Sequence, residues 1–280
     1  VQPEIPMAQG SSATDLLQGA RVLLVEDQAV NRELAVAMLQ RLGCHVEVAC
    51  DGRAGMTAAL EGQHDVVLMD CQMPEMDGFA ATEAIRRAET KTGAHLPIIA
   101  LTANAITGDR ELCKAAGMDD YMTKPFTRAQ LAQMLTQWLV KSQGNAQAPP
   151  GPAESTALAE PSGDAESTRI DTATLDSIRA VGGNELLRRM IGLFLAETPL
   201  LLQSIHTAVT GNNPNGVAAA THALKSISQN LGAMLLARLC KQVEQQARQG
   251  AVPQGIAEQL DDALGKTVAA LQSILEDPMT

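Results

Sequence analysis

The sequence predicts an α/β doubly wound sheet of five parallel strands followed by an all-α helical bundle. Three observations carry that reading. The chain has 280 residues, which at roughly 150 residues per domain is room for two. Residues 20–141 alternate short apolar runs with stretches of helical periodicity, the pattern of βα units that build a parallel sheet. Residues 169–280 hold no strand-like alternation and read as helices punctuated by Gly, Asn and Pro.

The first strand is expected at Val22–Val25 and the second at Val46–Ala49, which alternates with Glu47. Val66–Met69 and Ile98–Leu101 are unbroken apolar runs, as strands buried on both faces are, and a short fifth strand lies near Tyr121. Helical spacing fills the gaps: Leu34, Met38, Leu39 and Leu42; then Met56, Ala59 and Leu60; then Phe79 to Arg87; then Ile106 to Ala116; then Leu131, Met134, Leu135 and Trp138. Gly43 and Gly117 stand where these helices should end. In the second segment helices are expected over about 171–181, 184–210, 214–231, 233–249 and 254–276. Pro199, inside the second of them, reads as a kink with no chemical role.

Residues 142–168 separate the two halves and hold four Pro, three Gly, six Ala, four acids, no base and one large apolar residue, Leu158. Such a segment cannot bury enough surface to offset its ordering entropy, and it reads as a disordered tether. Residues 1–19 read as a shorter flexible tail. The net charge of -11 is shared unevenly: twelve bases and eighteen acids in 1–141, none and four in 142–168, nine and ten in 169–280. No local basic patch offsets it, which argues against nucleic acid and anionic membrane as partners. The apolar run Met190 to Leu202 is broken by Glu197, Thr198 and Pro199, too short to cross a bilayer. No stretch reads as a signal peptide. Cys44, Cys50, Cys71, Cys113 and Cys240 form no metal-ligand or secreted-scaffold pattern and read as reduced, mostly buried thiols of a cytosolic protein.

In a doubly wound sheet, ligands bind beyond the carboxyl ends of the strands. Those positions carry Glu26 and Asp27 after the first strand, Asp70 after the third, Thr102 after the fourth and Lys124 after the fifth. Three converging carboxylates repel unless a hard cation sits among them, and oxygen ligands of this kind suit Mg²⁺. A hydroxyl and an ammonium on the opposite side complete a cradle for a phosphoryl group. One carboxylate can then act as nucleophile and become an acyl phosphate.

RVLLVEDQAVNRELA (21–35), VVLMDCQMPEMDGF (66–79), PIIALTANA (97–105) and DDYMTKPF (119–126) together resemble a response-regulator receiver domain, flavodoxin-like in fold. The resemblance implies that Asp70 is the phospho-acceptor and that Glu26, Asp27 and Asp70 hold Mg²⁺ with the backbone carbonyl of Gln72. It also implies phosphoryl contacts from Thr102 and Lys124, a rotameric switch at Tyr121 and a cis Lys124–Pro125 bond. Gln28 departs from the Asn often found there; it lies beside the site and leaves the chemistry intact.

In the helical half, Val217, Leu224, Ile227 and Leu231 form the buried stripe of one helix, and His222 lies about 200° round from Leu224, facing solvent. Ala218 and Ser226, one turn away on either side, are small and leave the imidazole open to a partner, and Lys225 is placed to pair with a phosphate on the ring. His45, His64, His95 and His206 read as ordinary surface residues. The stretch THALKSISQNLGA (221–233) resembles the histidine phosphotransfer (HPt) pattern, H-x-x-K-G with a Gly ten residues after the His. His222, Lys225 and Gly232 match it. Ser226 stands where the pattern has Gly, which implies a slightly tighter approach for the partner.

A receiver tethered to an HPt domain resembles the C-terminal part of a hybrid sensor histidine kinase. That implies phosphoryl transfer from an upstream kinase histidine to Asp70, on to His222, and then to a separate response regulator receiver. It also implies a phosphotransfer protein without its own ATP-binding kinase domain, able to dimerise through the parent kinase. The fragment is expected in the cytoplasm, without membrane contact of its own, its parent anchored in the inner membrane by upstream segments. Two rival readings are a phosphorylation-gated docking module with little relay activity and a stand-alone receiver–HPt adaptor. The start at Val1 rather than Met favours a piece of something longer.

Overall fold

The computed structural model describes residues 17–103, 107–142 and 170–276. The expected N-terminal tail lies outside them but for 17–19, and the expected tether but for Ser142. The first part alternates β1 (Arg21–Val25), α1 (Ala29–Arg41), β2 (His45–Ala49), α2 (Gly52–Glu61), β3 (Val66–Asp70), α3 (Gly78–Thr92), β4 (Ile98–Thr102), α4 (Thr107–Ala116), β5 (Asp120–Thr123) and α5 (Arg128–Ser142). All strands pair in parallel in the order β2-β1-β3-β4-β5. The apolar runs of β1, β3 and β4 are buried on both faces. Val22, Leu24, Val66, Leu68, Ile99 and Leu101 pack on one side, and Leu23, Val25, Val67, Met69, Ile98 and Ala100 on the other. Each buried Val, Leu, Ile or Met among them contributes about 1.5–3 kcal/mol, so the three central strands, rather than the edge strand β2 with its exposed Val48, anchor the strand ends.

Helix ends follow local chemistry. Asp51 and Asp77 cap α2 and α3 by accepting from the amides of Ala54 and Ala80, each at 2.8 Å. Gly43 and Gly117 take the positive φ expected after α1 and α4. The side chain of Gln28, the N-cap residue of α1, makes no capping bond.

The second part is helical: α6 (Thr172–Thr210), α7 (Pro214–Asn230), α8 (Met234–Arg248) and α9 (Ile256–Glu276). The expected division of α6 is present, with the non-helical backbone at Gly183 (φ 70°, ψ −168°). Gly183 is the one position inside α6 where the backbone leaves helical φ/ψ, and the helix runs on through Pro199. Gly232, between α7 and α8, has φ +73°, and a Cβ there would sit 2.9 Å from the Asp171 carbonyl oxygen. Its own carbonyl accepts from the Asp171 amide at 2.9 Å. Gly232→Ala should therefore lower the unfolding free energy by about 2 kcal/mol, from left-handed strain plus the close approach. Denaturant unfolding followed by circular dichroism measures this; a loss under about 0.5 kcal/mol would contradict the strain argument.

The two parts pack together. One apolar cluster runs from the α1 side of the sheet into the bundle and includes Leu34, Met38, Leu39, Ile191 and Phe194. α1 is wedged between the sheet and α6, which explains why Val36 and Ala37, off its sheet-facing stripe, are partly buried too. Arg41 Nε donates to the Val181 carbonyl at 2.7 Å, and Arg189 pairs with Glu33 at 2.8 Å. Among the described residues no helix is long and apolar enough to cross a membrane. Four of the five cysteines are buried, as expected, and Cys50 is exposed.

Candidate functional site

The parallel register sets the strand ends side by side, Val25 beside Met69, Asp70 beside Leu101 and Thr102 beside Thr123. Glu26, Asp27 and Asp70 consequently offer oxygens that lie within 4.8 Å of one another. Lys124 donates to Glu26 Oε2 at 2.5 Å and to Asp70 Oδ2 at 2.7 Å. The Gln72 amide donates to Asp70 Oδ1 at 3.2 Å, Asn31 Nδ2 to Glu26 Oε1 at 2.9 Å, and Gln28 Nε2 to Asp27 Oδ2 at 2.8 Å. The Lys124–Pro125 bond is cis, as the resemblance implied.

Burial dominates the electrostatics. It pushes the Glu26 carboxyl up to about 7 against the pull of Lys124, with Asp70 adding repulsion. Burial also raises Asp27, against its Gln28 bond and with Asp70 repelling. Lys124 would be lowered by burial, but the charges of Asp70 and Glu26 outweigh that and hold it well above its ordinary value. One ammonium cannot balance three carboxylates. Asp27 Oδ1, moreover, is buried and has no hydrogen-bond partner. An oxygen-only donor set with an unmatched buried acceptor fits a hard divalent cation.

Thr102 is buried at the end of β4. Tyr121 is half-buried, its ring 5.7 Å from the Arg110 guanidinium. Thr102 stands at the strand end where it was expected, and Tyr121 lies within β5, beside Ala100 of β4.

His222 does not face solvent as expected. Its side chain is only 12% exposed, and Lys225 and Ser226 on the same face are buried. The physical reason is twofold: Glu244 of α8 closes over His222 and Lys225, and Asn31 of the first part packs on Ser226. Lys225, expected to pair with a phosphate on the ring, is bonded to Glu244 at 2.5 Å. Glu244 also meets His222 Nδ1 at 2.8 Å and receives two bonds from Arg248. Burial alone would raise the Glu244 carboxyl, but the bonds and charges of His222 and Lys225 outweigh it and hold it well below the ordinary carboxylate range. A carboxylate on Nδ1 favours the hydrogen on that nitrogen, so in the neutral ring the lone pair lies on Nε2. His64 also departs from expectation, with a side chain 4% exposed and bonded to Glu47.

Glu244 and Arg248 were missed by sequence reasoning, although a signal existed. Glu244 falls on the apolar stripe Ala237, Cys240, Ala247 of α8, where an acid needs a partner. The two clusters meet through Arg248, which donates to Gln72 Oε1 at 3.1 Å as well as to Glu244. At the same seam the Ala29 amide, the first orphan donor of α1, is capped at 3.0 Å by Glu197 of α6.

Comparison with known proteins divides the chain the same way. The family model for the response regulator receiver domain matches residues 22–136, and that for the Hpt domain matches residues 189–273. The chain is 32% identical over 254 residues to the sensor histidine kinase GacS of Pseudomonas protegens, covering 89% of this chain and 27% of that protein. It is 30% identical over 247 residues to the signal transduction histidine-protein kinase BarA of Escherichia coli, covering 87% and 26%. The chain thus spans about a quarter of the length of the curated relatives it matches. Among solved structures it is similar to the receiver domain of the sensor histidine kinase PA1611 of Pseudomonas aeruginosa, at 47% identity, 43% of this chain, 98% of that one and a TM-score of 0.40.

Proposed function

Because this chain belongs to the response regulator receiver family in its first part and to the Hpt family in its second, and so is a component of a two-component phosphorelay, we propose that Asp70 accepts a phosphoryl group from a kinase histidine and exchanges it with His222. His222 then passes it to the receiver of a separate response regulator. The observation that carries this reading is the meeting of the two clusters at Arg248, which ties Glu244 beside His222 to Gln72 beside Asp70.

Glu26, Asp27 and Asp70, with the Gln72 carbonyl, are the residues assigned to hold Mg²⁺, which when bound neutralises the carboxylates and the phosphoryl oxygens. The rest of the chemistry is positioning. An Asp70 oxygen attacks phosphorus, the bond to the donor histidine nitrogen breaks, and an acyl phosphate forms. Lys124, already on Asp70, moves one donor to a phosphoryl oxygen, and Thr102 offers its hydroxyl to another. Tyr121 then turns inward, biasing the surface around β5. In the exchange step His222 Nε2 attacks the same phosphorus, a P–N bond forms and the Asp70–phosphorus bond breaks. The Nδ1 proton stays in place on its bond to Glu244. Lys225 has donors to spare beyond Glu244 for a phosphoryl oxygen.

The receiver is assigned to 20–141 and the HPt domain to 169–280, with the tether between. The chain is assigned as the cytoplasmic end of a hybrid histidine kinase, whose upstream kinase domain supplies the phosphoryl group and the dimer.

Incubation of the full chain with labelled acetyl phosphate and Mg²⁺ tests the scheme. Base-labile label on aspartate should appear first and acid-labile label on histidine later, and EDTA should suppress both. Histidine label that precedes aspartate label, or label indifferent to EDTA, would overturn it.

A further inference from the structure

We infer that Asn31 and Ser226 form a matched pair that sets which receivers exchange phosphoryl groups fastest with this histidine. The inference rests on the Asp70–His222 exchange proposed above and deepens it by naming what the HPt face reads.

The contacts across the seam differ in what they can discriminate. Glu197 accepts from the Ala29 amide, a backbone group that any receiver helix offers. Arg41 likewise reaches only a carbonyl, that of Val181. Glu33 and Arg189 are a side-chain pair, but they are 30% and 51% exposed, and solvent leaves such pairs little selectivity. Asn31 is different. It is 5% exposed, and its amide makes three bonds: Nδ2 donates to Glu26 Oε1 and to Ser226 Oγ, each at 2.9 Å, and Oδ1 accepts from Asn230 at 2.7 Å. Lys124 also donates to Glu26, so Glu26 faces this seam as an acceptor. That holds the NH₂ edge of Asn31 toward the pocket and its oxygen toward Asn230. The second N–H is therefore committed to one spot on α7, where Ser226 supplies an oxygen.

Ser226 lies one turn beyond His222, on the face that any receiver must approach. A glycine or alanine here would leave a buried amide N–H with no acceptor, and a receiver lacking the amide would leave the Ser226 hydroxyl idle. Sites built to hydrogen-bond reject partners that lack the complementary group, because a buried donor is stranded. The residue that departs from the HPt pattern is thus the one that meets the buried amide of Asn31.

A double-mutant cycle on the Asp70-to-His222 transfer rate tests the pairing, using the full chain loaded from acetyl phosphate. Ser226→Ala should slow transfer roughly tenfold while leaving the rate of Asp70 labelling unchanged, since it touches no residue of the acidic pocket except through Asn31. Asn31→Ala should slow transfer by a similar factor, and the double variant should be no slower than the slower single. Effects that multiply, or a Ser226→Ala chain that relays as fast as the parent, would overturn the pairing. Failure of the parent chain itself to pass label from Asp70 to His222 would overturn the exchange on which the pairing depends.

Discussion

Asp70→Asn in the full chain should abolish acetyl phosphate labelling of both aspartate and histidine, a loss of at least roughly 10³-fold in the rate of each. The reason lies in the connectivity of the pocket. The substituted side chain would keep the shape and could still meet the Gln72 amide, but a neutral carboxamide is no nucleophile toward phosphorus. The change would also remove one of the two anions that hold Lys124. Among the described residues the carboxylate cluster that could hold a divalent cation is Glu26, Asp27 and Asp70, so His222 has no comparable cradle of its own. It should therefore receive label only from Asp70. His222→Gln is the companion measurement: aspartate label should form at the parent rate and persist. Histidine label in the Asp70→Asn chain, seen under conditions that label the parent, would show that acetyl phosphate reaches His222 directly and would refute the route.

Glu244→Ala should slow exchange between Asp70 and His222 by about 10- to 100-fold, the usual scale for removing the partner that orients an imidazole. It should also destabilise the helical part by about 3–5 kcal/mol, because the buried Lys225 ammonium would lose its counter-ion. Glu244→Gln separates the two effects. Its carbonyl can still accept from Nδ1–H, so much of the rate should return, while the charge partner of Lys225 stays lost. The pH dependence has a definite sign. A carboxyl held below its ordinary value of 4.5 stabilises the fold fully above that value, and the contribution is lost as pH falls through the folded value. The stability gap between the parent and Glu244→Gln should accordingly be full near pH 7 and shrink below about 4.5. A gap independent of pH, or a Glu244→Ala chain with parental transfer rate, would refute the assigned role.

Much of this site was legible in the residues. Strand identity follows from apolar runs too long and too continuous for a half-exposed strand, and a parallel sheet places its strand ends together, so Glu26, Asp27, Asp70, Thr102 and Lys124 could be gathered without coordinates. His222 could be found because the buried stripe of α7 runs elsewhere on the helix. What could not be read is what covers that face. Ser226 looked solvated because periodicity reports burial within one helix's own bundle and is blind to a second body packing from outside, and Lys225 looked so because nothing local announces the buried Glu244 on α8. α1 carried the complementary hint, apolar residues around more than its sheet-facing side, but nothing local says which helix they meet.

The sequence by itself determined the two fold classes, the acidic pocket and the identity of the histidine, because each depends on spacing within one element or on the fixed geometry of a parallel sheet. Only the tertiary structure decided that Glu244 holds the imidazole, that Arg248 joins the two clusters, and that Asn31 meets Ser226. The pairs His222–Glu244, Arg248–Gln72 and Asn31–Ser226 are separated by 22, 176 and 195 positions along the chain. Contacts of that span arise from the packing of whole helices, which depends on the summed shape of many side chains and leaves no periodic mark on any one segment.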